Sequence, residues 1–574
     1  MNKHPAFWSR FAFLLLSAIV IVTSAPRVWG QEHASSAVVA VAYHERQQAA
    51  QASYARKDFA QSAALYQKLA EANPEDGENW RQLARCRLNL KDYRAAIDAF
   101  RRASELGFGR LQRNDLDVAR AYARLGEKEH ALEWLGKALN EQRFEFRPTL
   151  QDDAAFQGLR SDTRFRELAG LLPNRVFTRD EGWRYDLDYL LAEIRRLNAV
   201  YSHQPLPSTM RLAAERVRER IPTLSDAQIV VEMQRLLALL GHSHNTVYPA
   251  SGGRVTFTFL PVAFYIFPDG LYVTSADGDL KGLVGGRVVR FDDADAAIAV
   301  RAVSALVRRE NEMEARWLAP SLLAMPQVLQ SLGITQSADQ VRLTVRRDGR
   351  DEAVTLKPGQ PLFRPKLFPS QLQGAPVAPL YLQNVGDAYW FKHFPEDRMV
   401  YFQFNQIADK EGEPLAAFAQ RLRKFLDDHN VGNLVVDLRH NNGGDTYLYP
   451  ELVRTIVRFD AGGENRKLFV LIGRTTYSAA VNFVVDLERF TRAVFVGEPT
   501  GGKPNTHGDE SPTILPYSGL HFLLSSAYWQ LSSPRDSRLW VPAGVPVPLS
   551  AQDYFANRDP ALEAIMTLVH NGGK

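Results

Sequence analysis

Three short stretches of this chain carry serine, histidine and glycine in an arrangement suited to acyl transfer. The first runs from Thr475 to Pro504, TTYSAAVNFVVDLERFTRAVFVGEPTGGKP. A strand-like run, KLFVLI (Lys467 to Ile472), precedes it, and Ser478 opens an apolar helical stretch. A serine there lies in the partial positive charge of a helix N-terminus, where developing negative charge is stabilised. Taken alone, Ser478 reads as an N-cap, the commonest role of a serine before a helix. The second stretch, VVDLRHNNGGD (Val435 to Asp445), reads as a buried strand ending in a glycine turn. Gly443 and Gly444 let the backbone approach a ligand and aim N–H groups at an oxyanion. The third, GHSHNTVY (Gly241 to Tyr248), sets Ser243 beside His244.

The order His…DLRxNxGG…Ser…GExTGG resembles the S41 serine peptidases. That family includes the C-terminal processing (tail-specific) proteases, the tricorn-type proteases and the interphotoreceptor retinoid-binding protein. The resemblance runs from Asp180 to Val569 and rests on DLRHNNGG taken together with the SAA-to-VGEPTGG block. It implies Ser478 as nucleophile, an oxyanion hole from the Ala479 amide and the Gly443-Gly444 turn, and a peptide or protein substrate. It implies no cofactor and a crotonase-like ββα spiral as the catalytic fold.

Two bases are open. Lys503 lies 25 residues after Ser478, the spacing of the serine–lysine dyad in the tail-specific branch, whereas the pair Ser243-His244 matches the tricorn-like branch. A lysine works as a base only when burial or neighbouring positive charge lowers its pKa, and a histidine needs no such shift. Lys503 lies in the polar run GGKPNTHGD, so the physical argument favours His244. His242 and His244, one residue apart with no third ligand in view, are a weak metal signal, and no metal is expected. The acid is in doubt. Val541 stands where the tricorn-like branch has a glutamate, and another register brings Asp536, in SSPRDSRLW, near that position. Asp437 and Arg439 read as a structural pair, and His507 and Asp509 as loop residues without a role.

The elements that must position these groups form a multidomain chain. Residues 380–574 read as the α/β catalytic domain: MVYFQFN, NLVVDLR, KLFVLI and RAVFVG are strands, alternating with helices at PLAAFAQRLRKFLDDH, Tyr449 to Arg458 and SAAVNFVVDLERF. Active groups then gather at the carboxyl ends of the strands. Residues 358–379, rich in proline, read as a linker, and 251–357 as a small β-rich module with a helical insertion from Glu310 to Ile334. Its run GLVGGRVVRFDD resembles a PDZ-like turn and strand. Residues 175–250 are helical and lead into the histidine.

From 37 to 171 the pattern repeats. Phe59 and Tyr93 are 34 residues apart, as are Tyr66 and Phe100, and Pro74, Trp80, Leu83, Ala84, Ala96 and Ala103 fall on tetratricopeptide positions. An all-α solenoid follows, with a concave surface for a protein partner or substrate. Asp152 and Asp153 read as turn or cap residues. Residues 1–30 read as a signal peptide: Lys3 and Arg10 precede the apolar run Phe11 to Val22, which is short for a span, and Gly30 suits the cleavage position. A periplasmic or secreted protein is expected, with no stable membrane span after cleavage.

At 574 residues, 45% hydrophobic and 23% charged, the composition is that of a globular protein. The formal charge of +4 includes Lys3, Arg10 and Arg27, so 4 − 3 leaves +1 for the rest, and no nucleic-acid partner is indicated. Cys86 is the single cysteine, which excludes an internal disulfide and thiolate chemistry. Two functional classes fit: an exported serine peptidase, or a non-catalytic binding protein on the same fold. A different acyl hydrolase is a third.

Overall fold

A computed structural model of the chain describes residues 28–107, 111–140, 146–248, 253–307, 309–359, 367 and 378–571. Nearly all of the expected signal peptide and most of the expected linker lie outside these residues. The chain divides into two compact units after Ala138.

The first unit is helical. Val28–Ala55, Phe59–Ala72, Gly77–Asn89, Tyr93–Glu105 and Leu111–Leu125 pack in sequence order, each on the next. Asp58, Asp76 and Asp92 cap three of these helices, each accepting from an amide two or three residues on. Tyr66, Leu69, Leu83, Ala84, Ala96 and Phe100 share one buried core, and Cys86 is buried with them. The 34-residue period thus places aromatic and small residues in packing positions. The unit ends earlier than the expected boundary at 171. The reason is local: Ala154–Leu159 is a six-residue 3₁₀ helix and Thr163–Leu168 a six-residue α-helix, too short to make another helix pair. Asp153 caps the former, accepting from Ala155 N at 2.8 Å.

The second unit opens with helices Arg179–Leu197, Ser208–Arg220 and Asp226–Ala238. Among the described residues it carries three sheets. One is antiparallel, in the order Val262–Phe267, Gly270–Ala276, Arg287–Phe291, Val341–Arg347, Arg350–Leu356, with helices Ala296–Ser304, Glu312–Leu323 and Pro326–Ser331 inserted before its last two strands. The second runs Val545–Pro546, Val494–Gly497, Lys467–Ile472, Asn433–Asp437, Met399–Phe404, Tyr389–Phe394 and is parallel except for its last pair.

The central strands of this sheet are buried on both faces, which explains their unbroken apolar sequence. Val400, Phe402, Leu434, Val436, Leu468 and Val470 pack towards the helices Leu415–Asp428, Pro450–Asp460 and Ala479–Phe490. Tyr401, Val435, Phe469 and Leu471 face the opposite side, against Ala561 and Ile565 of Pro560–Asn571. Arg439 ties the end of Asn433–Asp437 to this last helix, bonding Asp437 at 2.6 Å and Asp559 at 2.8 Å. The Asp437–Arg439 pair is therefore structural, as its sequence suggested.

The third sheet joins distant parts of the chain. Thr246–Tyr248 pairs antiparallel with His521–Gln530, which pairs with Asn505–Ile514. No helix among the described residues is long and apolar enough to cross a membrane.

Candidate active site

Ser478 lies where Lys467–Ile472 gives way to Ala479–Phe490. Its backbone is at φ 54° and ψ −130°. A residue with a Cβ is strained there by about 1–3 kcal/mol. The flanking turn holds it in place: Tyr477 N donates to Asn441 O at 3.1 Å, and Gly501 N to Thr476 O at 3.0 Å. Thr476 Oγ1 donates to Leu438 O at 2.9 Å. The Ser478 hydroxyl makes no capping bond to its helix. It meets His244 instead, with Nε2 at 3.2 Å from Oγ.

His244 also has a left-handed backbone, φ 62°. Two features position it. The strand Thr246–Tyr248 anchors the chain just beyond it, with Thr246 opposite Leu523. Asn245 is fully buried and donates to the carbonyls of His242 and Ser243, both at 3.1 Å, while its Oδ1 accepts from Ser525 N at 3.1 Å. On the far side of the ring, Nδ1 lies 3.0 Å from Ser243 Oγ and 2.9 Å from Tyr477 Oη. The Tyr477 ring stacks on the imidazole at 4.7 Å, and Trp317 of the inserted helix packs on Tyr477. Ser243 Oγ donates onward to the carbonyl of His507 at 3.3 Å. Sequence reasoning reached Ser243 but not Tyr477, because a tyrosine before a serine carries no motif of its own.

The acid is where the sequence reading fails. Val541 is fully buried in the apolar core and its N–H donates to Thr500 Oγ1 at 2.9 Å, so no carboxylate occupies that position. Asp536 does not take its place. Its carboxylate accepts from Arg538 at 2.7 Å and from Ser532 Oγ at 2.7 Å, and Arg538 continues to Glu488. Arg538 holds the Asp536 carboxyl far below its usual range. Proximity in sequence to the expected position was misleading: the turn faces an arginine, not the imidazole. Asp536→Asn should therefore leave peptide turnover near that of the unaltered chain while lowering the melting temperature. A large loss of turnover at unchanged stability would reinstate Asp536 as the acid.

Lys503 does not bond Ser478. Among the described residues it makes no hydrogen bond or ion pair, and its charge acts on Glu310 and His242. Glu310 is the buried carboxylate that sequence reasoning missed. Its Oε2 accepts from Thr506 Oγ1 at 2.7 Å and its Oε1 lies 3.7 Å from His507 Nδ1. Burial opposes its charge, but bonds from His507 and Thr506 and the Lys503 charge hold its carboxyl below the usual range. Burial, then the His507 charge, pushes His242 down to about 4. The ligand atoms of His242, Glu310 and His507 lie within 4.8 Å of one another. This corrects the expectation that His242 has no third ligand nearby, and that His507 is an idle loop residue. His507 lies in the strand Asn505–Ile514. The sequence hid this cluster because its members are 68 and 197 positions apart.

The glycine turn lies directly against Ser478. At Gly443, φ is 108° and an added Cβ would sit 2.8 Å from Ser478 Cβ and 3.0 Å from Ala479 N. At Gly444, φ is 137° and a Cβ would sit 2.0 Å from Ile407 O. The expected donor set needs one correction. The Gly443 N–H is taken by Asn441 Oδ1 at 3.0 Å, closing a local turn. The two bonds that bridge this turn to Ile407 use Gly443 O and Asp445 N, which leaves the Gly444 amide out of the pairing. The Ala479 amide, at the helix N-terminus, likewise donates to no backbone carbonyl among the described residues. Gly444→Ala is expected to lower the melting temperature more than Gly443→Ala, because its clash is with rigid backbone. Gly443→Ala should lower turnover more than stability. The reverse order of melting temperatures would show that the turn is not held as described.

No protein-family model and no curated protein sequence matches the chain. Solved structures do. Mature CPAF complexed with lactacystin aligns with a TM-score of 0.51 at 15% identity, covering 68% of this chain and 98% of that one. A serine-to-alanine mutant of CPAF aligns at 0.50 and 14% identity, covering 68% and 97%. The chain shares the fold of CPAF over two thirds of its length, and the likeness takes in nearly all of the CPAF chain.

Proposed function

We propose that the chain is a serine peptidase of S41 type, cleaving peptide bonds through an acyl-enzyme on Ser478. The observation that carries this reading is the 3.2 Å approach of His244 Nε2 to Ser478 Oγ, made by residues 234 positions apart. In the first step Ser478 Oγ attacks the scissile carbonyl carbon and its proton passes to Nε2. For Nε2 to accept, the ring hydrogen sits on Nδ1, where the oxygens of Ser243 and Tyr477 are in reach. Ser243 then donates to the His507 carbonyl, so a polarised chain of dipoles supports the imidazolium. The imidazolium gives its proton to the leaving amine, and water attacking the ester releases the acid. The oxyanion is met by the Ala479 amide at the start of a helix, with the Gly443-Gly444 turn beside it.

In the same reading the substrate is a peptide or protein. The helical unit, tetratricopeptide-like in its 34-residue period, recruits a partner or substrate, and the antiparallel module serves as a PDZ-like domain. Export to the periplasm or outside the cell follows from the basic and apolar N-terminal sequence. One observation favours the non-catalytic alternative: the position of the expected glutamate is filled by Val541 in the core. A peptide boronate separates the two. Formation of a bond to Ser478 Oγ, located by mass spectrometry after proteolysis, together with hydrolysis of a peptide library, is expected. A chain that neither cleaves peptides nor forms the adduct is a binding protein.

A further inference from the structure

We propose that His242, Glu310 and His507 form a binding site for a divalent transition-metal ion of the zinc class, next to the Ser243–His244 pair. The three side chains come from the loop after Asp226–Ala238, from the segment entering Glu312–Leu323, and from the strand Asn505–Ile514. Each offers one ligand atom within 4.8 Å of the other two. Imidazole nitrogen and carboxylate oxygen lie about 2.0–2.2 Å from Zn²⁺, so ligand atoms in a tetrahedral site are about 3.3 Å apart. His507 Nδ1 and Glu310 Oε1, at 3.7 Å, are close to that separation. Small movements of the half-buried His242 ring complete the set.

Three features distinguish this cluster from an ordinary buried ion pair. The carboxylate is oriented by its surroundings: Thr506 Oγ1 donates to Oε2 at 2.7 Å and the His507 backbone N–H to Oε1 at 3.4 Å, with Oε1 also 3.7 Å from the His507 imidazole. Supporting bonds of this kind fix ligating carboxylates and imidazoles. The His242 ring makes no hydrogen bond among the described residues, although it packs against His507 at 4.2 Å and Tyr201 at 6.2 Å. A metal takes imidazole ligands in the neutral form. The donor set of two nitrogens and one oxygen suits zinc and its neighbours rather than magnesium or calcium. Three protein ligands also leave a fourth position for water.

The position gives the ion a consequence. The carbonyl of His507 accepts from Ser243 Oγ, which touches His244 Nδ1. An ion on the His507 ring and on His242 would clamp both flanks of the Ser243–His244 pair. Lys503 opposes it, since its positive charge already acts on Glu310 and His242.

The test is zinc sulfate titrated calorimetrically into the full chain, with native mass spectrometry for stoichiometry. Ser478→Ala protein is used, so the result does not depend on peptidase activity. One ion per chain is expected, with a raised melting temperature and visible d–d absorption when cobalt replaces zinc. Glu310→Gln, which keeps the Thr506 contact, and His242→Gln, at a half-buried site, should each weaken binding by at least about tenfold. Lys503→Ala should tighten it. No stoichiometric zinc, or zinc bound equally well by both glutamine variants in their folded state, would overturn the site.

Discussion

Replacing Ser478 with alanine is expected to lower peptide turnover on the order of 10⁶-fold, the size of loss seen when a triad nucleophile is removed. The melting temperature should hardly change. The hydroxyl makes no bond to its own helix, and its partner is His244. Alanine keeps the Cβ, so the strain at φ 54° is the same in both proteins. The loss of one hydroxyl at a site whose backbone is held by Tyr477, Thr476 and Gly501 leaves about 0.5 kcal/mol or less to register as stability. Initial rates on a peptide substrate and thermal melts of both proteins make the comparison. Turnover that survives in the alanine variant would remove Ser478 from the chemistry and, with it, the peptidase reading.

The parts of the site that were legible in the sequence are those written locally. Ser478 follows a strand and starts an apolar helix. Gly443 and Gly444 end a strand, and Ser243 adjoins His244. In each case the neighbouring residues carry the signal, and the fold brings His244 and the Gly443 turn up to Ser478. The alternating strands and helices of the largely parallel sheet were legible for the same reason, since unbroken apolar runs such as NLVVD mark strands covered on both faces.

What was not legible depends on topology. Glu310 lies in a helical insertion of another sheet, and nothing in its own neighbourhood announces His507 or Thr506. Asp536 shows the opposite error. It has the right residue type near the expected position, but Arg538, two residues on, captures it. The Gly443 amide illustrates a finer limit. The motif places the turn, yet only the fold reveals that Asn441 closes it and takes that N–H. The first compact unit ends at Ala138, short of the expected repeat boundary at 171, and the short helices after Leu150 have the polar turns of a repeat without the length to pair.

His244→Ala is expected to lower turnover by at least ~10²–10⁴-fold, the usual worth of a positioned general base. Lys503→Ala should cost far less. The geometry separates the two residues. His244 Nε2 is within hydrogen-bonding distance of Ser478 Oγ, whereas Lys503 makes no such contact and acts on Glu310 by charge. A lysine base must first lose its proton, which requires burial or adjacent cations. The histidine needs no such shift. Its ring is fixed by stacking on Tyr477 and by two hydroxyl oxygens at Nδ1, so the lone pair on Nε2 is aimed before substrate arrives. Ser243→Ala adds a control, since it removes one of those oxygens together with the link to the His507 carbonyl and should give an intermediate loss. The measurement is kcat/KM for the three variants on one peptide, with boronate adduct formation showing whether Ser478 stays reactive. A greater loss in Lys503→Ala than in His244→Ala would assign the base to the lysine, and the Ser478–His244 contact would then be a structural bond only.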